Sequence, residues 1–405
     1  MKKNINQLTS FILSCFRFSL KGSLTYHIWM CTLTIFIVIG LFLYIIQLKE
    51  GLGATGMNDY ISWGLYISNF TFLVGMAAAA VMLVLPAYVF SDYDFYNAIL
   101  IGEGVAVGSL IMCLAFVTAD MGGAHRLWHL IPIIGVFNWP QSMLAWDVVV
   151  LNGYLALNTF IPFYIIFKKY KREIPNKNLY MPFVFLSIFW AFCIHLVTAF
   201  LYVGLTARPF WNNSLLGPRF LASAFAAGPS FILILLGIVD RKSPFIVGQN
   251  IIKKLSILVT VAAQINLIML FSEIFKEFYN TTEHSISAVY LFFGIGKYNA
   301  LVPWIWTSII LNLVCTIILT FHKFRNNDKI LYPTCAFLFI AIWIEKGMGL
   351  IIPGFIPSPL GEIVEYVPTM LEIGITVGIW ALGLFIITVL VRTGYAIEQG
   401  FITKE

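Results

Sequence analysis

An all-α bundle of about ten membrane-spanning helices, with both termini cytoplasmic, is the fold that three features of this chain predict. Hydrophobic residues fill 60% of its 405 positions and charged ones only 11%, against about 25% charged in soluble domains; mean hydropathy is +0.88. The apolar residues gather in runs near 27–47, 62–90, 97–118, 144–167, 180–206, 217–238, 252–275, 299–322, 332–352 and 369–392, each close to the roughly 20 residues that cross about 30 Å of hydrocarbon. The segments between them alternate in charge. Lys49, Arg126, Arg208, Arg219, Lys276 and Lys297 lie on one side, Lys346 lies inside span nine, and the remaining Lys and Arg, about three times as many as the outer six, lie on the other. That bias puts the basic side, and both chain ends, inside the cell. The net charge of +6 then follows from topology and needs no nucleic acid to explain it.

Taken in order, residues 1–26 are basic and weakly apolar with no small-residue cleavage site, so they read as a retained cytoplasmic amphipathic segment rather than a signal peptide. Residues 27–392 form a single transmembrane domain, and 393–405 a cytoplasmic tail. Spans two, three and six carry small-residue patches, GMAAAA (75–80), GEGVAVGS (102–109) and ASAFAAG (222–228), which let helix backbones approach closely in lipid. A division into four-helix halves at about 62–206 and 217–352 is compatible with this, on a weak internal repeat. Inner loops are short, whereas the outer segments 48–61, 119–143, 207–216, 276–298 and 353–368 are longer and rich in Trp, Pro, Gly and Phe. Two of these stretches, IPIIGVFNWP (131–140) and LIIPGFIPSPLGEIVEYVP (350–368), are apolar yet broken by Pro, which suits re-entrant or interfacial segments packed over helix ends.

Ionisable residues inside such spans are costly, roughly 2.5 to 3.5 kcal/mol for Asp or Arg at mid-bilayer, and so mark candidate sites. Counting 1.5 Å per residue, most of them fall in the outer half. These are Asp147 in span four, His195 in span five, Glu273 at the end of span seven, Glu345 in span nine and Glu372 at the start of span ten. Asp120, Arg126, His129, Arg208 and Arg219 border the same side. A quinone head group suits that convergence, since its oxygens exchange protons as its redox state changes and its tail needs an apolar groove. Structural alternatives stand beside each residue: Asp147 and His129 as water-facing helix caps, the three arginines paired with carboxylates or lipid head groups, His195 donating to a carbonyl one turn away. Glu103 departs from the outer clustering, about two turns from the cytoplasmic end of span three. It closes a structural hydrogen bond or serves as one stop on an inward proton path.

Haem is the competing redox cofactor, and the histidines do not supply axial ligands at matching depth. His27 and His322 are at inner ends, His125, His129 and His284 lie outside the spans, and His195 alone is well within one. Cysteines 15, 31, 113, 193, 315 and 335 are dispersed with no CxxC pair, so no disulfide framework, zinc site, iron–sulfur ligand set or covalent haem is expected in this chain.

The segments WGLYISNFTFLVGMAAAA (63–80), IGEGVAVGS (101–109), 125–158, HLVTAFLYVGLTARPFW (195–211), GPRFLASAFAAGP (217–229) and 344–373, in that order, make the chain resemble the NrfD/polysulfide-reductase (PsrC) membrane-subunit family. The ten-helix DsrP/HmcC-like branch is the nearest. The resemblance implies a quinone-interacting subunit of the bacterial or archaeal cytoplasmic membrane. Such a subunit exchanges electrons between menaquinol or menaquinone and a periplasmic ferredoxin-like iron–sulfur subunit, often beside a multihaem cytochrome c, in anaerobic respiration. Carried onto this sequence, it places Arg126, His129 and Asp147 at the core of the quinone site with His195, Arg208 and Arg219 around it. Glu103, Asp120, Glu273, Glu345 and Glu372 are the proton-pathway candidates. Two rivals remain from other classes: a proton-coupled secondary transporter, against which the weak repeat counts, and a structural anchor for peripheral redox proteins.

Overall fold

The computed structural model describes residues 2–131, 133–242, 248–279 and 285–403; His284 lies outside them. The chain opens with α1 (Lys2–Ser19) and α2 (Leu24–Glu50). The second span is α3 (Leu65–Ala77) and α4 (Val81–Tyr88), joined by a tight 3-10 turn over Ala78–Ala80. Then come α5 (Ile99–Asp120), α6 (Met143–Tyr170), α7 (Lys177–Val203), α8 (Leu216–Lys242), α9 (Gln249–Tyr279), the short α10 (Ile286–Phe293), α11 (Val302–Thr320) and α12 (His322–Arg325). The ninth span is α13 (Asp328–Lys346) with α14 (Met348–Ile351) and a 3-10 turn Ile352–Phe355, and α15 (Met370–Glu398) is the tenth. Among the described residues there is no strand. All ten apolar runs are helices long and apolar enough to cross a membrane.

Helix ends depart from the apolar runs by a few residues in both directions, α13 starting at Asp328 before its run and α11 stopping short of its run at both ends, because local caps and turns, not hydropathy, end them. Asn327 accepts from the Lys329 N–H (3.1 Å) to start α13. Thr369 and Glu372 form a reciprocal capping box at the start of α15.

Spans two, three, six and nine are the most buried, and the first is the least. The small-residue patches explain how the centre closes. A Cβ on Gly75 would stand 3.3 Å from the Ala224 Cβ, and one on Gly228 would collide with Ala79, so GMAAAA and ASAFAAG lie face to face. Towards the rim, α2 crosses α15 where a Cβ on Gly40 would be 2.7 Å from the Gly378 Cα, and α15 in turn packs on α5. The N-terminal helix α1 docks through Phe11, whose ring meets Phe163, Phe167 and Tyr170 edge-on at 5.2–5.7 Å.

The two Pro-broken segments behave differently. Residues 350–356 are buried over the helix ends, with Gly354 against Trp211 and the Trp211 Nε1–H donating to the Leu350 carbonyl (2.8 Å). By contrast, Ile131, Ile133, Ile134, Val136 and Trp139 are exposed. The expectation of packing over helix ends therefore holds for the second stretch and not for the first, whose apolar side chains face outward.

Candidate functional site

Three polar groups occupy the interior at the end of the bundle where α5 finishes and α6 begins. The first is ionic. Arg219, in the first turn of α8, is buried and paired with Glu273 of α9 and with Glu345 of α13 (2.8 Å to the latter's Oε1). Glu345 Oε2 accepts from Asn266 (3.3 Å) and Asn312 (3.0 Å), and Lys346 Nζ lies 3.8 Å from Glu345 Oε1 and over the Phe220 ring. By formal charge Arg219 and Lys346 balance Glu273 and Glu345, with Arg219 the cation that bonds them and Lys346 Nζ without a hydrogen-bond partner among the described residues. That neutrality is what makes burial tolerable. A cavity of about 30 Å³ adjoins it, lined by Phe210, Arg219, Glu273, Glu277, Phe292 and Glu345, with room for a water or two.

The second group is on α6 and α7. Asp147, one turn into α6 and 4% exposed, accepts from the Thr198 hydroxyl (2.9 Å). Helical spacing sets His195, Thr198 and Tyr202 on one face of α7, and the Tyr202 hydroxyl is hydrogen-bonded to that of Thr71. His195 is fully buried, with Nδ1 3.0 Å from the Ala191 carbonyl. Because a carbonyl only accepts, that contact places the proton on Nδ1 and leaves Nε2 as an acceptor. Nε2 is buried with no partner among the described residues.

Aromatic rings fill the space between the two groups. Tyr202 lies 5.6 Å from Trp211, 5.8 Å from Trp63 and 6.1 Å from Phe220; Trp211 meets Phe355 edge-on at 5.0 Å. Arg208 sits over the Phe355 ring and donates to the Phe355 carbonyl (3.2 Å).

A third group is structural. Glu372 Oε2 accepts from the Gly56 and Thr369 N–H groups (2.7 and 2.8 Å), and its Oε1 from Tyr366 (2.6 Å). Burial and the neighbouring Glu372 push the Tyr366 phenol up, so it remains the donor. Nearby, Tyr66 donates to Gln47, which donates to the Ala119 carbonyl, while Asp120 Oδ1 is buried without a partner among the described residues.

The residues singled out from sequence therefore do not meet at one point. Arg208 lies on the aromatic cluster, Asp147 bonds Thr198 one turn from Tyr202, His195 neighbours the Phe225 ring at 6.4 Å, and Arg219 joins Glu273 and Glu345. Arg126 and His129 stand exposed on a 3-10 segment (Ala124–Leu130), His129 stacked on Trp128 at 3.8 Å, and neither side chain bonds to another described residue. The cause is the outward-facing 131–140 stretch, which holds that segment at the surface while Asp147 sits inside α6. Glu372 is consumed by its cap, and Glu103 lies at the opposite end of α5. Lys346, Thr198, Tyr202, Asn266 and Asn312 were missed. Their signal was present as polar residues in apolar runs, Thr198 and Tyr202 three and seven residues after His195 and Asn266 seven before Glu273.

A bundle of ten helices able to cross a membrane, with an ionic cluster, a buried carboxyl and a buried imidazole at one end, defines a multi-pass integral membrane protein. The polysulphide reductase family, NrfD, matches residues 53–356, and the chain belongs to that family. The match runs from the approach to α3 through the turn after α14, leaving α1, α2 and α15 outside it. Among curated relatives, it is 22% identical over 399 residues, 89% of each chain, to a putative membrane subunit of dimethyl sulfoxide reductase from Halobacterium salinarum. It is 23% identical to a selenate reductase subunit of Mesobacillus selenatarsenatis, over 64% of this chain and 66% of that one. It is 21% identical to the Hdr-like menaquinol oxidoreductase integral membrane subunit of Archaeoglobus fulgidus, over 86% and 88%. The protein is thus a membrane subunit of an oxidoreductase complex in a prokaryotic cytoplasmic membrane.

Proposed function

We propose that the chain binds menaquinol or menaquinone beside α6 and α7 and exchanges two electrons with a ferredoxin-like iron–sulfur subunit on the periplasmic side. Both chain termini are cytoplasmic in this reading. The observation that carries it is the buried His195 Nε2, an acceptor without a partner among the described residues, on the same helix face as Thr198 and its Asp147. The name of the Archaeoglobus relative supplies the substrate class.

Oxidation of the quinol releases two electrons and two protons, and the redox chemistry belongs to the quinone and the cluster. The protein holds the ring and receives the protons. His195 Nε2 accepts from one ring hydroxyl and Asp147 from the other, Thr198 fixing the carboxyl. The Trp63, Tyr202 and Trp211 rings exclude water from the head group. The Arg219, Glu273 and Glu345 cluster is the proton outlet and the element by which turnover couples to proton movement. The exposed apolar 131–139 stretch, with Arg126 and His129 beside it, is the docking surface of the iron–sulfur subunit, and a multihaem cytochrome completes the assembly.

The test is quinol oxidation by the intact complex. Asp147→Asn and His195→Gln each lower turnover by about a hundredfold, the scale of a lost acid–base group, with assembly intact by size exclusion. His129→Ala lowers partner affinity and leaves turnover in the assembled complex unchanged. Unaltered turnover in both Asp147→Asn and His195→Gln would falsify the assignment.

A further inference from the structure

A second cavity, of about 380 Å³, lies at the other end of α5. Its Glu103 is 17 residues before Asp120 on that helix, or about 26 Å at 1.5 Å per residue. Its volume is within the roughly 300–1,000 Å³ of small-molecule sites. Leu100, Gly104 and Val107 of α5, Pro162 and Phe163 of α6, and Gly394 of α15 give it an apolar wall. Phe11, Cys15 and Phe16 of α1 cover it, and α1 is pinned there by the Phe11 ring contacts and by a Ser10–Tyr170 hydrogen bond (3.1 Å).

Ser19, Asn158 and Thr393 also line it, each donating to a carbonyl of its own helix, and Thr159 is exposed, so Glu103 is the buried lining group left without a partner among the described residues. Glu103 is 6% exposed, and its Oε2 is buried with no hydrogen-bond partner among the described residues. An unpaired carboxyl oxygen in apolar surroundings is costly, so the cavity's chemistry calls for a guest that brings a hydrogen-bonding group to it. A lipid acyl chain offers none, and a lipid phosphate would repel the carboxyl. A ring bearing hydroxyl or carbonyl oxygens supplies the missing bond, and the Phe11, Phe16 and Phe163 rings flank such a plane.

We infer that this cavity binds a quinone-class amphiphile, its ring oxygen on Glu103, its tail leaving towards lipid past Ile12 and Phe16, and α1 as its cover. This second site stands apart from the electron-exchange reading and does not rest on it.

Cys15 reports occupancy, because it lines the cavity. Burial pushes its thiol up to about 11, so alkylation is slow and is followed at pH 9, with a cysteine introduced in the exposed α6–α7 loop, Ile174→Cys, as internal control. The full chain with its co-purifying subunits, in phospholipid nanodiscs, is treated with N-ethylmaleimide, with and without a short-tailed menaquinone, and each cysteine is read by peptide mass spectrometry. Menaquinone slows Cys15 about fivefold, the scale of one hydrogen bond added to ring burial, and leaves the loop cysteine unchanged. Glu103→Leu cuts that protection below about twofold, and Val107→Trp, which fills the cavity, abolishes it. Asp147→Asn keeps it, so failure at the other end of the bundle reads differently from failure here. Should Glu103→Leu not insert, the wild-type and Val107→Trp measurements carry the test. The inference is overturned if menaquinone leaves wild-type Cys15 unprotected, if phosphatidylglycerol alone protects it equally, or if protection survives Glu103→Leu.

Discussion

Replacing Glu345 by Gln keeps the side chain's shape and removes one charge from the buried cluster. Its Oε1 takes Arg219 at 2.8 Å and lies 3.8 Å from Lys346; its Oε2 takes Asn266 and Asn312 at 3.3 and 3.0 Å. An amide has one oxygen and one NH₂, so either orientation turns a donor towards donors. By formal charge the cluster moves from zero to +1, beside a cavity with room for only a water or two. Breaking a buried ion pair from one side costs about 3–5 kcal/mol, and hydrogen bonds to charged groups about 1.5–3 kcal/mol each; Arg219 keeps Glu273, which favours the lower end. We expect about 3 kcal/mol, roughly a hundredfold in the folded-to-unfolded ratio, read by mixed-micelle SDS unfolding with Trp fluorescence. The double variant Arg219→Met, Glu345→Met removes one charge of each sign, so the net formal charge is unchanged. It should lose less than the two single Met changes added together, with a coupling of about 1.5 kcal/mol or more. A single Gln variant within about 0.5 kcal/mol of wild type, or additive Met changes, would refute the view that these groups are held by mutual neutralisation.

Three further outcomes follow from other contacts. Gly378→Leu places atoms where the Gly40 Cα and Phe36 carbonyl already stand, forcing α2 from α15; it destabilises by about 1–3 kcal/mol, and disulfide trapping between cysteines introduced on the two helices slows in step. Glu372→Ala releases the Gly56, Thr369 and Tyr366 donors at about 1–2 kcal/mol, seen as faster amide exchange at 54–57 and 369–373 while α6 and α7 are unaffected; equal protection would show the cap to be idle. Hydrogen bonding from Lys254 holds the Asp92 carboxyl below its usual range. A lowered acid contributes fully above its unfolded value, near 3.9, and loses that contribution as pH falls through the folded value. Amide protection at 92–98 should be flat from pH 8 to 5 and decline below 4 in wild type alone, not in Asp92→Asn; decline between pH 7 and 5 would contradict this.

The spans were legible because crossing hydrocarbon is a demand on local composition: twenty apolar residues in a row satisfy it whatever their neighbours do. The GMAAAA and ASAFAAG patches were legible too as close-approach surfaces, though not as each other's partners. The cap at Asn327 explains why α13 starts before its run, and the one at Thr369 why α15 starts where its run does. The site was legible as an inventory, since Asp147, His195, Arg219, Glu273 and Glu345 are expensive wherever they sit in a span. Which groups pair was not legible: Arg219, read from sequence both as a quinone contact and as a partner of carboxylates, meets Glu273 and Glu345 because the pairing is three-dimensional.

What the sequence determined alone was the number of membrane spans, their limits within a few residues, and the ionisable groups they carry inside. What only the tertiary structure decided was company: that Arg219 meets carboxylates 54 and 126 residues further along the chain, that His195 keeps a bare Nε2, and that Glu103 faces a cavity under α1. A helix apolar on all sides reaches the bilayer by composition, but its rotation about its own axis is fixed by packing against neighbours, and it is that rotation which chooses each buried charge its partner.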